Sequence, residues 1–158
     1  AVVGSHLSPG DDLWVRVDRS ACGTNEYRDV AGHRHTTCQQ QSSSAFGMSM
    51  LVERDGFRFL KGEVAAFAIP TESKSNKLGL FCGKCGTRIA NDTEGRPALS
   101  LKAGTLDDRA RLRPVGHIWT RSAQAWMTFD ENALTYDKAP DDSYYALMER
   151  WAAQEHAS

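Results

Sequence analysis

Phe81-Cys82-Gly83-Lys84-Cys85-Gly86-Thr87 is the stretch on which the fold turns. Two cysteines three positions apart on a tight turn let both thiolates reach one tetrahedral zinc, and the glycines relieve crowding where the backbone folds round a metal. A redox dithiol uses the same spacing, but it belongs beside a βαβ pattern. Here the neighbours read as strands, so the pair reads as a metal knuckle in a β protein.

Outward from the knuckle the strand signals continue. Leu78 to Phe81 lead into it, and Ala98 to Lys102, Val115 to Thr120 and Ala125 to Phe129 follow. Upstream lie Leu13 to Val17, Gly47 to Val52, Phe57 to Leu60 and Val64 to Ile69, all short and rich in β-branched or aromatic residues. Turn formers separate them at Asp55-Gly56, Lys61-Gly62, Glu94-Gly95 and Gly104-Thr105-Leu106-Asp107, and the polar run Thr71 to Lys77 reads as an exposed loop. Many short strands at this spacing predict a sandwich, barrel or tent of antiparallel sheets. One helix stands apart: Asp141, Asp142 and Ser143 offer capping oxygens, and Tyr144, Leu147, Met148 and Trp151 then recur on one face. Residues 1–158 are expected to form a single, mainly β domain with this C-terminal helix packed on a sheet.

Composition narrows the partners. The chain has 19 Lys and Arg against 20 Asp and Glu, a formal charge of −1, so the basic excess of a nucleic-acid binder is absent. Arg109, Arg111 and Arg113 alternate in a turn-rich stretch and read as a solvated strand face. No apolar run approaches the ~20 residues of a membrane span, and the start lacks a secretory pattern, so a cytoplasmic location is expected. With that, Cys22, Cys38, Cys82 and Cys85 are expected to bind metal rather than form disulfides.

A second cluster lies upstream. His33-Arg34-His35-Thr36-Thr37-Cys38 places three ligand-capable side chains within six residues, in a chain with five histidines. The following Gln39, Gln40 and Gln41 read as a solvated turn, Phe46 and Trp119 as core aromatics, and His117 as structural.

From Cys38 on, the order of motifs resembles the glutathione-dependent formaldehyde-activating enzyme family, which also includes proteins similar to centromere protein V. The likeness runs through Cys38-Gln39-Gln40-Gln41-Ser42-Ser43-Ser44-Ala45-Phe46-Gly47, Lys61-Gly62-Glu63, the knuckle, Lys102-Ala103-Gly104-Thr105-Leu106-Asp107, His117-Ile118-Trp119-Thr120 and Trp126. It is strongest over residues 33–130. The resemblance implies a β-tent of short antiparallel sheets around zinc sites, with one or two zinc ions per chain. In its structural site an early Cys-x-Cys joins Cys82 and Cys85. In its catalytic site a Cys-x-Cys-x-x-Cys falls on His33, His35 and Cys38, so two cysteines are replaced by histidines that still bind zinc. The early pair maps to Ser20-Ala21-Cys22-Gly23, leaving Cys22 as the ligand; Gly4-Ser5-His6-Leu7-Ser8 is better spaced but lacks a cysteine. Cys22 is preferred as the softer partner for two thiolates.

The implied activity is that of a carbon–sulfur lyase acting on an adduct of glutathione, or another thiol, with a small aldehyde. Two imidazoles in place of two thiolates make the zinc more positive and a stronger Lewis acid. Two other readings stand beside it: a non-catalytic zinc module of the same fold, and a zinc hydrolase using a metal-bound hydroxide. The partners expected are a small-molecule thiol or aldehyde, no nucleic acid and no membrane, with a homodimer left open.

Overall fold

A computed structural model describes residues 2–4, 14–18, 28–70, 75–106, 113–141 and 144–156, and only the backbone of 2–4, 14–18, 28–31, 33 and 154–156. Cys22 with its neighbours Ser20 to Gly23, Ser5 to Ser8, Arg109 and Arg111, Thr71 to Lys74, and the helix-capping candidates Asp142 and Ser143 therefore lie outside the described residues. In chain order the elements are β1 (Val2–Gly4), β2 (Trp14–Asp18), β3 (Arg28–His33), α1 (Thr36–Ser42), β4 (Gly47–Glu53), β5 (Phe57–Lys61), β6 (Val64–Ala68), β7 (Lys77–Cys82), β8 (Arg88–Thr93), β9 (Ala98–Lys102), β10 (Gly116–Ile118), β11 (Leu134–Tyr136) and α2 (Tyr145–His156). The structure is mainly β, with antiparallel sheet and a C-terminal helix. Among the described residues no helix is long and apolar enough to cross a membrane. The chain divides into two compact units, Ala1–Glu26 with Leu51–Arg111 and Tyr27–Met50 with Leu112–Ser158.

The first unit holds a small antiparallel sheet in the order β1-β2-β5 and the antiparallel ladder β9-β8-β7-β6. Alternation drives it: Leu99 and Leu101 of β9 are buried and their neighbours are half-buried. Ile89 and Ala90 of β8 are fully sealed, with Ala90 opposite Leu101. On β7, Gly79 faces Phe67 of β6, and a Cβ there would come 2.6 Å from the Phe67 Cζ and 2.9 Å from the Arg88 Nη2. Glycine lets the Arg88 guanidinium lie over the Phe67 ring, 4.7 Å from its centroid. This unit also carries a cavity of about 760 Å³ bordered by the Arg54–Asp92 ion pair, Ile69, Lys77 and Glu94.

In the second unit β10 lies between β3 and β11 and pairs with both in parallel, with His117 opposite Gly32 on one side and Thr135 on the other. The sequence predicts antiparallel sheets throughout, and this corner departs from that. Parallel neighbours need a connection long enough to cross over, and residues 119–133 between β10 and β11 supply one. Helix α2 packs here as its apolar stripe predicts. Leu147 is sealed against Val115 and Ile118, with Tyr144 and Trp151 packed at the edge. Gly116 is required at that contact: a Cβ would collide with the Leu147 side chain and sit 2.8 Å from the Leu134 carbonyl oxygen.

Two further expectations need correction. Ala125 to Phe129 is a turn and irregular chain, not a strand, and Trp126 is 73% exposed. The Gln-rich run after Cys38 is not a solvated turn but part of α1, closed by Ser43 in the left-handed region at φ 49°.

Candidate functional site

At the knuckle, β7 ends on Cys82 and the chain turns back into β8. The Gly86 N–H donates to the Cys82 carbonyl at 2.9 Å, and the Cys82 N–H donates to the Thr87 carbonyl at 2.9 Å. Gly86 adopts φ +74°, where a side chain would be strained. Cys82 is buried and Cys85 exposed, both as free thiols. The Cys85 sulfur lies 3.2 Å from the Thr87 hydroxyl. That contact, the Thr87 backbone and the neighbouring Cys82 thiol hold the Cys85 thiol below its ordinary pKa. Two converging sulfurs, one of them biased toward thiolate, fit half of a tetrahedral zinc site.

The second cluster is built differently. His33 is the last residue of β3, and its side chain lies outside the described residues. His35 is the N-cap of α1, its Nδ1 accepting from the Thr37 N–H at 3.2 Å. Its ring meets Trp119 edge-on, with centroids 4.8 Å apart. An accepting Nδ1 in a neutral imidazole puts the proton on Nε2, whereas a metal at Nε2 needs the other tautomer. Capping and ligation thus compete, and in this arrangement His35 does not fit a zinc. Cys38 lies on the first turn of α1, half-buried, and a Cβ at Gly47 would stand 3.6 Å from the Cys38 Cβ. Among the described residues no group of three His, Cys, Asp or Glu side chains is placed to hold a metal.

The surrounding wall is held by side-chain amides and hydroxyls. Gln39 donates from Nε2 to the carbonyls of Arg34 and Ser122, each at 2.7 Å, and its Oε1 accepts from the Gln124 Nε2 at 2.7 Å. One amide thereby ties α1 to the strand end before it and to the turn after β10. The Ser42 hydroxyl donates to the carbonyls of Cys38 and Phe46, fixing the exit from the helix. Trp119 sits in the left-handed region at φ 60°, an uncommon conformation for a bulky residue, held by its N–H to the Lys138 carbonyl.

Arg34 is the most unusual member. It lies between two candidate ligands yet is only 3% exposed, and its Nε and Nη1 are buried without a hydrogen-bond partner. Its guanidinium lies over Phe46 at 4.5 Å and over Phe129 at 5.2 Å. Burial pushes its pKa down to about 10, so it stays charged at neutral pH. Taking an ion out of water costs several kcal/mol, and desolvated cation–π contacts return about 2 kcal/mol each. Beside it His117, half-buried and stacked obliquely on Phe129, leaves its Nδ1 buried and unpartnered. Burial and then the Arg34 charge push the His117 pKa down to about 4, with Asp130 opposing them. Phe46 thus lies against the buried cation instead of serving only as core, and His117 lies close enough to feel its charge. No periodicity marks Arg34; the sequence signal for it is an arginine inside a short segment otherwise read for metal ligands.

The family model described as glutathione-dependent formaldehyde-activating enzyme matches residues 20–122, well over half of the chain. No curated protein matches it.

Proposed function

The chain belongs to the glutathione-dependent formaldehyde-activating enzyme family, and on that footing we propose that it makes and breaks the carbon–sulfur bond of an adduct between a thiol, glutathione above all, and a small aldehyde. In the forward sense the thiol sulfur bonds to the carbonyl carbon, the C=O π pair moves to oxygen, and the proton lost from sulfur ends on that oxygen. The lyase direction reverses each of these. The observation that supports this reading is Cys38: a half-buried free thiol on the first turn of α1, three residues after the capping His35 and inside the matched region.

Zinc fits the knuckle, where Cys82 and Cys85 would hold it with Cys22 as the candidate third ligand. His33, His35 and Cys38 are the candidate ligands of a second ion, giving one or two per chain, and His35 joins them only by giving up the Thr37 N–H. Bound zinc supplies Lewis acidity that lowers the pKa of a thiol. The chain's own residues do the rest. Gln39 and Gln124 fix the helix on which Cys38 sits. Reduced thiols in these roles suit a reducing compartment such as the cytoplasm.

A second reading, a non-catalytic zinc module, is favoured by one observation, the capping role of His35. NMR exchange between formaldehyde, glutathione and their adduct separates the two. The enzyme accelerates exchange over buffer, and Cys38→Ala loses that acceleration while keeping the wild-type melting temperature. Wild-type protein that leaves the exchange rate unchanged leaves the zinc-module reading standing.

A further inference from the structure

A cation sealed from water with two nitrogens unpartnered is an incomplete arrangement, and what is missing has definite chemistry. The Arg34 guanidinium and the His117 imidazole converge over Gly32: a Cβ there would collide with the Arg34 Nη1 and stand 2.9 Å from both the Arg34 Cζ and the His117 Nδ1. Only glycine admits this approach. Nε and Nη1 of Arg34 and Nδ1 of His117 are all buried without partners, and Nη2 is the guanidinium nitrogen outside that sealed set. No ion pair to Arg34 closes within 4.0 Å among the described residues. Two aromatic faces steady the plane of the guanidinium, and the carbonyl of the same residue is pinned by Gln39. A flat, fixed, buried cation with a neighbouring imidazole matches a flat anion that accepts two or more hydrogen bonds.

We propose that Arg34, with His117 beside it, forms a subsite for a carboxylate of the substrate, four residues before Cys38 in the chain. That the carboxylate is the substrate's rests on the function proposed above; that an anion completes the site rests on Arg34 alone. The carboxylate belongs either to the thiol, as in glutathione, or to the aldehyde, as in a 2-oxo acid such as glyoxylate. A subsite of this kind selects acidic partners over neutral ones and orients the adduct, because a bidentate guanidinium–carboxylate pair fixes direction as well as position.

Thermal denaturation at constant ionic strength tests this without an activity assay. Glutathione or glyoxylate raises the melting temperature of the wild-type protein by about 5 °C or more at a hundredfold excess over Kd. Cysteamine, formaldehyde and chloride, which lack a carboxylate, do not. Whichever of the first two acts identifies the source. Arg34→Met removes the response, and without ligand it melts no lower than wild type, because it deletes an unpaired buried charge; an arginine with a purely structural role would leave a less stable variant. Arg34→Lys covers the case in which the Met variant does not fold: it keeps the charge, loses the planar fork, and weakens the apparent Kd at least tenfold. The inference is overturned if no carboxylate shifts wild type beyond chloride, or if either variant responds as wild type does. Adduct exchange without a carboxylate response sinks this subsite and spares the proposed activity; a carboxylate response without exchange does the reverse.

Discussion

Gln39 carries a larger share of the site's geometry than its neighbours. Its Nε2 donates to two backbone carbonyls and its Oε1 accepts from Gln124, each bond at 2.7 Å. Gln39→Ala removes all three. Each is worth about 0.5–1.5 kcal/mol net, and water can reach part of this half-buried site, so the sum is about 2 kcal/mol. For a chain of this size that lowers the melting temperature by roughly 4–8 °C. Gln39→Glu is nearly isosteric, yet it replaces the donor with an oxygen that faces two carbonyl oxygens. It is expected to cost more than alanine, about 3–4 kcal/mol, since an acceptor set against acceptors is repelled as well as unsatisfied. The same repulsion raises the pKa of the introduced carboxyl above its ordinary value of about 4.3, so as pH falls it protonates earlier than a free glutamate would, regains one donor, and the gap to alanine narrows. Urea denaturation followed by tryptophan fluorescence reads both variants. A glutamate variant as stable as the alanine variant at neutral pH would refute the bridging role of this amide.

What could be read in the sequence, and what could not, divides along physical lines. The helix stripe was legible because Leu147 and Trp151 recur at helical spacing and pack as that spacing requires. The knuckle's turn was legible because two cysteines and two glycines at fixed offsets leave the chain few ways to go. Strand β8 was missed because Arg88-Ile89-Ala90-Asn91-Asp92-Thr93 is mostly polar or small; its place comes from pairing with β7 and β9, not from propensity. Strands β3 and β11 were missed for the same reason, since their pairing runs through β10, far along the chain. Helix α1 shows no apolar face at all, and its start depends on a histidine in a capping role that serine, threonine, aspartate or asparagine usually fill. The burial of Arg34 has no signature in periodicity, because an exposed arginine between two histidines looks the same until Phe46 and Phe129 close over it.

Cys85→Ser should lower zinc per chain by elemental analysis and melt well below wild type, because binding free energy at a structural zinc, about 10–16 kcal/mol, is also folding free energy; unchanged zinc and an unchanged melting point would show that Cys82 and Cys85 hold no metal. In the folded chain the His117 pKa is pushed down to about 4, first by burial and then by Arg34, against the pull of Asp130. In the unfolded chain the same imidazole titrates near its ordinary value of about 6.5. Between these values the unfolded state binds the proton and the folded state does not, so protonation favours unfolding. The stabilisation from a neutral His117 is complete above pH ~6.5 and is lost as pH falls through about 4. His117→Phe cannot titrate, so between pH 7 and pH 4.5 its melting temperature should fall less than that of wild type. The difference should begin near pH 6.5, above the range in which carboxylates protonate. Parallel curves for the two proteins over that interval would mean that the folded site accepts the proton as readily as water does, and that Arg34 and burial exert no hold on His117.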